Sequence, residues 1–312
     1  MYNQLSRRSF VKRSLVAGAG AALGLSAAPP PAPLAVSIFS KHLQFLGYRE
    51  MAEAAAKVGF DGVDLSVRPG GHVLPERVKT DLPAAAAALR TAGFAPGLMT
   101  TAILDARGKH TEAVLRTAAG LGFSAYRLGY YKFAEEGTIP EALARIAERA
   151  GGLAELNRVI GIRGAYQNHS GRQVGAAIWD IHHLLSEAEH PHMGCQYDIR
   201  HATVEGGESW PTGLRLIAPR ITSIVLKDFR WERRADGKWR VLNVPIGEGM
   251  VDFGAYFRWL KEHRINVPAS LHCEYDLGGA EHGRREIKIA PQKVLTAMKQ
   301  DLDRIREMWR TA

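Results

Sequence analysis

Three pairs of polar residues, Gln167 with His169, Gln196 with Asp198, and His272 with Glu274, each follow a short apolar run, and Lys227 ends a fourth run beside Val225. On an extended strand, residues two apart share a face, so each pair aims both side chains at one place. Arg200 and His201 come just after Asp198, on a stretch that reads as a loop stopped by Gly206-Gly207. These residue types suit proton abstraction beside a carbonyl. Glu274 is the candidate base, and a cation or Lys227 would stabilise the enediolate oxyanion, which the transition state gains over the ground state. Asp198, Glu274 and the histidines are also the raw material of an oxygen/nitrogen metal site, while Lys227 reads as well as an ion-pair partner of Asp198 or Glu274.

Four such strand ends can form one site only if the fold gathers them. From Leu34 onward, short apolar runs alternate with helical patterns, which predicts βα units around a parallel sheet. The strands are read at Leu34–Phe39, Gly62–Val67, Gly97–Thr101, Ala125–Gly129, Arg163–Gln167, Met193–Asp198, Ile221–Lys227 and Ser270–Glu274. The helices are read at Tyr48–Val58, Leu82–Ala92, Thr111–Leu121, Pro140–Asn157, Val174–Glu187, Thr212–Ile217, Phe253–His263 and Pro291–Trp309, with a hairpin turning at Asp236-Gly237. Eight units predict a single-domain (β/α)8 TIM barrel, whose active sites lie at the carboxyl ends of the strands. An open doubly wound sheet would want a Gly-rich loop after the first strand, and Phe39-Ser40-Lys41-His42 has none, so no nucleotide cofactor is expected.

A chain of 312 residues that is 46% hydrophobic suits one large α/β domain. The net charge of +9 includes Arg7, Arg8, Lys12 and Arg13 of a leader, leaving +5 after those four, without a basic block that would point to nucleic acid. Cys195 and Cys273 fall on strands as small buried residues, and a disulfide is neither required nor excluded. Residues 1–28, with Ser6-Arg7-Arg8-Ser9-Phe10-Val11-Lys12 ahead of an Ala- and Gly-rich apolar stretch, resemble a twin-arginine export signal, and residues 29–33 form a stiff Pro-rich linker. The implied partner is the twin-arginine export machinery and the implied location the periplasm, with no stable membrane span.

The barrel, residues 34–312, resembles the xylose-isomerase-like barrels, the sugar phosphate isomerases/epimerases. The resemblance rests on Gly59-Phe60-Asp61-Gly62-Val63-Asp64-Leu65, Gln167-Asn168-His169, Asp198 with His201, Lys227-Asp228, Gly247-Glu248-Gly249-Met250-Val251-Asp252-Phe253 and Glu274-Tyr275-Asp276. In that family a Glu, an Asp, a His and a Glu hold a divalent cation, and the two Glu move protons. Carried across, Asp198 and Glu274 match, and His201 matches a histidine that touches substrate. Gln167 stands where the family has Glu, and Val225 where it has His. The resemblance thus implies a divalent cation (Mn, Mg, Co or Zn) on Asp198, Glu274, Gln167 and His201, more weakly held than usual, with a metal-free site built on Lys227 as the alternative. Catalytic roles fall to Glu274, Lys227 and His201, and contacts with a carbohydrate substrate to His169, Arg200, His272, Arg68, His72 and Tyr166. Asp228 and Asp276 are read as orienting groups. Isomerase, epimerase and 3-keto-glycoside lyase chemistry all fit, and a single base favours elimination over a two-base epimerisation. A non-catalytic sugar-binding barrel is the other reading, for which Gln167 and Val225 speak.

Overall fold

A computed structural model describes residues 33–188 and 190–312. The expected leader and all but Pro33 of the linker lie outside the described residues.

Eight parallel strands close into a barrel. In chain order they are β1 (Val36–Phe39), β2 (Gly62–Val67), β3 (Leu98–Thr101), β4 (Ala125–Arg127), β5 (Arg163–Gln167), β6 (Met193–Asp198), β7 (Ile221–Leu226) and, after a hairpin of β8 (Asp228–Arg233) and β9 (Trp239–Val244), β10 (Ala269–Leu271). β1 pairs with both β2 and β10, so the sheet has no edge to protect. Around it run α1 (Tyr48–Val58), α2 (Val78–Thr91), α3 (Thr111–Gly120), α4 (Ile139–Ile160), α5 (Ile178–Ala188), α6 (Ile199–Gly206), α7 (Trp210–Ile217), α8 (Phe253–Glu262) and α9 (Pro291–Thr311). Among the described residues no helix is long and apolar enough to cross a membrane.

Local sequence explains these elements. α1 buries Met51, Ala52, Ala55 and Val58, the one-face spacing of a 3.6-residue period, and stops at Gly59, whose φ of 98° releases its N–H to the carbonyls of Ala55 and Ala56. α4 starts on a reciprocal cap between Thr138 and Glu141. α2 begins four residues before the expected Leu82 and carries Pro83 inside it, where the sequence suggested a start. Two departures bear on the site. Arg200 and His201, expected on a loop, lie in the first turn of α6, because the Asp198 side chain accepts the His201 N–H at 3.1 Å and caps the helix. β10 ends at Leu271, so His272 and Glu274 follow the strand rather than alternate on it.

The barrel interior is polar at its upper layer. Asp64 is 1% exposed and accepts hydroxyl hydrogen bonds from Thr100 at 3.0 Å and Ser270 at 2.8 Å, which spans the barrel from β2 to β10. Just outside, Asp228 accepts backbone N–H bonds from Phe229, Gly247, Gly249 and Val251 and so pins the 247–251 loop beside Lys227. A Cβ at Gly249 would lie 2.2 Å from Asp228 Oδ1 and 2.3 Å from the Phe229 carbonyl. Gly249→Ala is therefore expected to destabilise the protein by about 1–3 kcal/mol, read as a lower urea midpoint. An unchanged midpoint would show that the loop yields freely.

Candidate active site

Lys227, one residue past β7, extends its ammonium into the barrel mouth. It is 3% exposed and meets three acceptors: His201 Nε2 at 2.7 Å, Asp198 Oδ2 at 3.2 Å and Glu274 Oε2 at 3.2 Å. An ammonium has three N–H donors and no acceptor, so His201 accepts a hydrogen bond at Nε2, while its Nδ1 lies 2.8 Å from both Ser170 Oγ and Arg200 Nη1. Burial and the charges of Lys227 and Arg200 keep that imidazole neutral, well below its usual pKa. Burial opposes charge on Lys227 too, but Asp198 and Glu274 prevail and raise its pKa.

Glu274 reaches solvent with 23% of its side chain exposed, whereas Asp198 is wholly buried. Glu274 is held between two lysines, Lys227 on Oε2 and Lys41 on Oε1 at 2.9 Å. Burial would raise the Glu274 pKa, yet the two ammoniums hold it well below the ordinary carboxylate range. Lys41, with a single carboxylate to offset its burial, has its pKa lowered.

Gln167 ends β5 and settles its own orientation. Asp198 is an acceptor, so the Gln167 Nε2 faces it at 2.8 Å while Oε1 accepts the Tyr130 hydroxyl at 2.5 Å. Asn168 completes the frame, donating to the Asp198 carbonyl and accepting its N–H. On the far side Arg200 donates to Ser170 Oγ at 3.1 Å and to Asn243 Oδ1 at 2.6 Å, and Asn243 donates to the Glu274 carbonyl at 3.2 Å. The hairpin thereby braces the loop that carries the base.

The four residues expected to hold a cation do converge, but around an ammonium. Lys227 stands where Asp198 and Glu274 meet, Gln167 turns its nitrogen to Asp198, and Val225 lies buried between Asp198 and Ser270 in register. Among the described residues no group of three or more His, Cys, Asp or Glu side chains is disposed to hold a metal ion. This donor set does not fit a divalent ion unless Lys227 withdraws, and the ammonium already places one positive charge between the carboxylates.

The remaining candidates fall into two groups. The His169 ring lies 3.9 Å from the His201 ring, tilted by 34°, His272 stacks on Phe39 at 4.5 Å with Nδ1 3.9 Å from Glu274 Oε1, and the Arg68 guanidinium lies over Phe39 at 5.3 Å. These line the mouth. Tyr166 and His72 do not. Tyr166 is wholly buried, its hydroxyl donating to the Val174 carbonyl and accepting from Tyr131 N–H. His72, 5% exposed and driven by burial to a pKa of about 4, packs beside Tyr48. Both cysteines are buried and free, and Asp276 is exposed. Sequence reasoning passed over Lys41, Tyr130, Asn243 and Arg127. Lys41 and Arg127 carry the same signal as the rest, a polar side chain at a strand end.

The family described as Xylose isomerase-like TIM barrel matches residues 52–306. Among solved structures, a D-allulose 3-epimerase from Methylomonas sp. is 15% identical, with 89% of this chain and 99% of that one covered and a TM-score of 0.65. A 3-keto-D-glucoside 4-epimerase from E. coli is 14% identical, with 88% and 99% covered and a TM-score of 0.63. A xylose isomerase-like TIM barrel protein from Mycobacterium smegmatis in complex with magnesium is 13% identical, with 89% and 97% covered and a TM-score of 0.64. No match is found among the curated proteins. Identities this low carry the shared fold, while the family match runs through most of the barrel: the chain belongs to the xylose isomerase-like TIM barrel family.

Proposed function

We propose that the protein is an enzyme that removes a proton beside a carbonyl of an unphosphorylated sugar derivative, with Glu274 as base and Lys227 as the resident cation. The observation that carries this reading is the ammonium of Lys227 at the junction of Asp198, His201 and Glu274, with Glu274 the carboxylate of that pair that reaches solvent. Asp198 and His201 fix the ammonium from below. When the substrate carbonyl enters, Glu274 leaves Lys227 and takes the proton, and the freed N–H of Lys227 donates to the oxygen on which negative charge develops. Asp198 and His201 hold the ammonium in place throughout, so one partner, Glu274, is exchanged for the substrate oxygen.

One solvent-reaching carboxylate serves one face of the substrate. Gln167, held as an amide between Tyr130 and Asp198, is no second base. The reading therefore favours a one-base isomerase, or a lyase in which the enediolate expels the neighbouring glycosidic oxygen, over epimerisation by two bases. The D-allulose and 3-keto-glucoside epimerases of the same fold act on substrates with carbonyls beside the reacting carbon, in agreement with this class. Incorporation of solvent deuterium next to the carbonyl of 3-keto-glucosides, ketohexoses and keto-sugar acids tests the reaction. Exchange is expected for at least one of these, and its absence across all three classes would refute the enolisation step.

Export through the twin-arginine pathway to the periplasm belongs to the same proposal, since phosphorylated sugars are scarce there. Replacing Arg7 and Arg8 by Lys is expected to retain the protein in the cytoplasm, and unimpaired export of that variant would overturn the assignment.

A further inference from the structure

Two guanidiniums in the barrel mouth, those of Arg127 and Arg68, form no ion pair with the carboxylates of the lysine cluster among the described residues. Arg127 ends β4 and is 4% exposed, with its guanidinium 4.7 Å from the Tyr130 ring centroid. Its Nη2 reaches the Thr101 carbonyl at 3.3 Å, while Nε and Nη1 are buried without a hydrogen-bond partner. Arg68 lies over Phe39, and among the described residues neither arginine forms an ion pair. Asp64 is a buried carboxylate whose charge both arginines feel, yet its hydrogen bonds come from the Thr100 and Ser270 hydroxyls rather than from either guanidinium. Strand register sets Arg127 level with Thr100 and Thr100 level with Ser66, so Arg68, two residues past Ser66, shares with Arg127 the face on which Thr100 meets Asp64.

A guanidinium keeps its proton in a protein, so burying Arg127 with unused donors is costly unless something brings acceptors. We propose that Arg127 and Arg68 form a subsite for an anionic substituent of the substrate, a carboxylate, which makes the substrate a sugar acid. This deepens the proposed reaction and rests on its placing the carbonyl at Lys227 and Glu274. The two regions are joined through Tyr130, which lies against Arg127 and donates to Gln167 beside Asp198. A planar carboxylate matches planar guanidinium donors better than a lysine does, and pairs of this kind are the strong charge-assisted ones.

Calorimetric titration of the purified protein with acetate, with acetamide as the uncharged isostere and inorganic phosphate as the rival anion, tests the subsite. Acetate is expected to bind saturably, at least about tenfold more tightly than acetamide, and to weaken at least about tenfold in Arg127→Met and in Arg68→Met. Arg68 is half-buried beyond the strand, so its variant keeps the test should Arg127→Met fail to fold. Arg145→Met, which removes an exposed cation on α4, should bind acetate as the parent does. Acetate no tighter than acetamide, or undiminished in both mouth variants, would overturn the subsite, and a preference for phosphate would overturn its assignment to a carboxylate. The readout is equilibrium binding, so a failure of solvent exchange sinks the reaction while leaving this result intact, and the converse also holds.

Discussion

Lys227→Met is expected to lower solvent exchange at the substrate carbon by about 10²–10³-fold, the usual effect of removing one preorganised oxyanion donor. Binding of the substrate should change less than turnover, because the donor acts on charge that develops in the transition state. The same change should show in stability. Asp198 is wholly buried, and removing the cation of a buried pair typically costs about 3–5 kcal/mol. The pH dependence then gives a signature that loss of packing would not. In the parent, Glu274 has a depressed pKa, so its contribution to stability is present above its unfolded value of about 4.3 and is lost as pH falls through the lower folded value. In Lys227→Met the Glu274 carboxylate keeps Lys41 as its one lysine partner. Its folded pKa is expected to rise from the depressed value of the parent, so its ionisation stabilises the variant less than the parent as pH rises. Urea midpoints of parent and variant from pH 4 to 8 should therefore diverge with rising pH. A constant gap would mean that Lys227 contributes bulk rather than charge.

Glu274→Gln is expected to lower exchange by about 10²–10⁴-fold, the range for loss of a general base, while ligand still binds. The amide fills the same space and keeps an oxygen for Lys41 or Lys227, so the fold should hold. Because the lysines keep Glu274 ionised, kcat/KM of the parent should stay level from about pH 5 to pH 8, with its acid limb below the ordinary carboxylate value. An acid limb near neutrality, or near-native exchange in Glu274→Gln, would move the base to another group. His169 is one candidate, with a pKa lowered by its burial and by Lys227.

The sequence made the barrel legible because each strand is a short apolar run with a helical pattern after it, and β2, β5, β6 and α1 fall where the runs place them. The convergence of Asp198, Lys227 and Glu274 was legible for the same reason. What alternation could not show is how far a side chain reaches. Lys227 carries its charge on four methylenes into the place where the carboxylates meet, and a residue list that contains metal-ligand types reads equally well as a lysine's ion-pair partners. The amide of Gln167 turned its nitrogen inward because Asp198 and Tyr130 surround it, which is a tertiary fact. α6 escaped notice because it is one short helix capped by Asp198, the same residue that binds Lys227.

The claim that an ammonium serves as the cation of this site is tested most directly by solvent exchange on whichever 3-keto-glucoside, ketohexose or keto-sugar acid the parent exchanges, measured in protein stripped with chelator and verified by elemental analysis. The expected result is full exchange without metal, no gain on adding Mn²⁺, Mg²⁺, Co²⁺ or Zn²⁺, and loss in Lys227→Met under all of these conditions. Exchange that appears only when a divalent ion is restored would contradict the account.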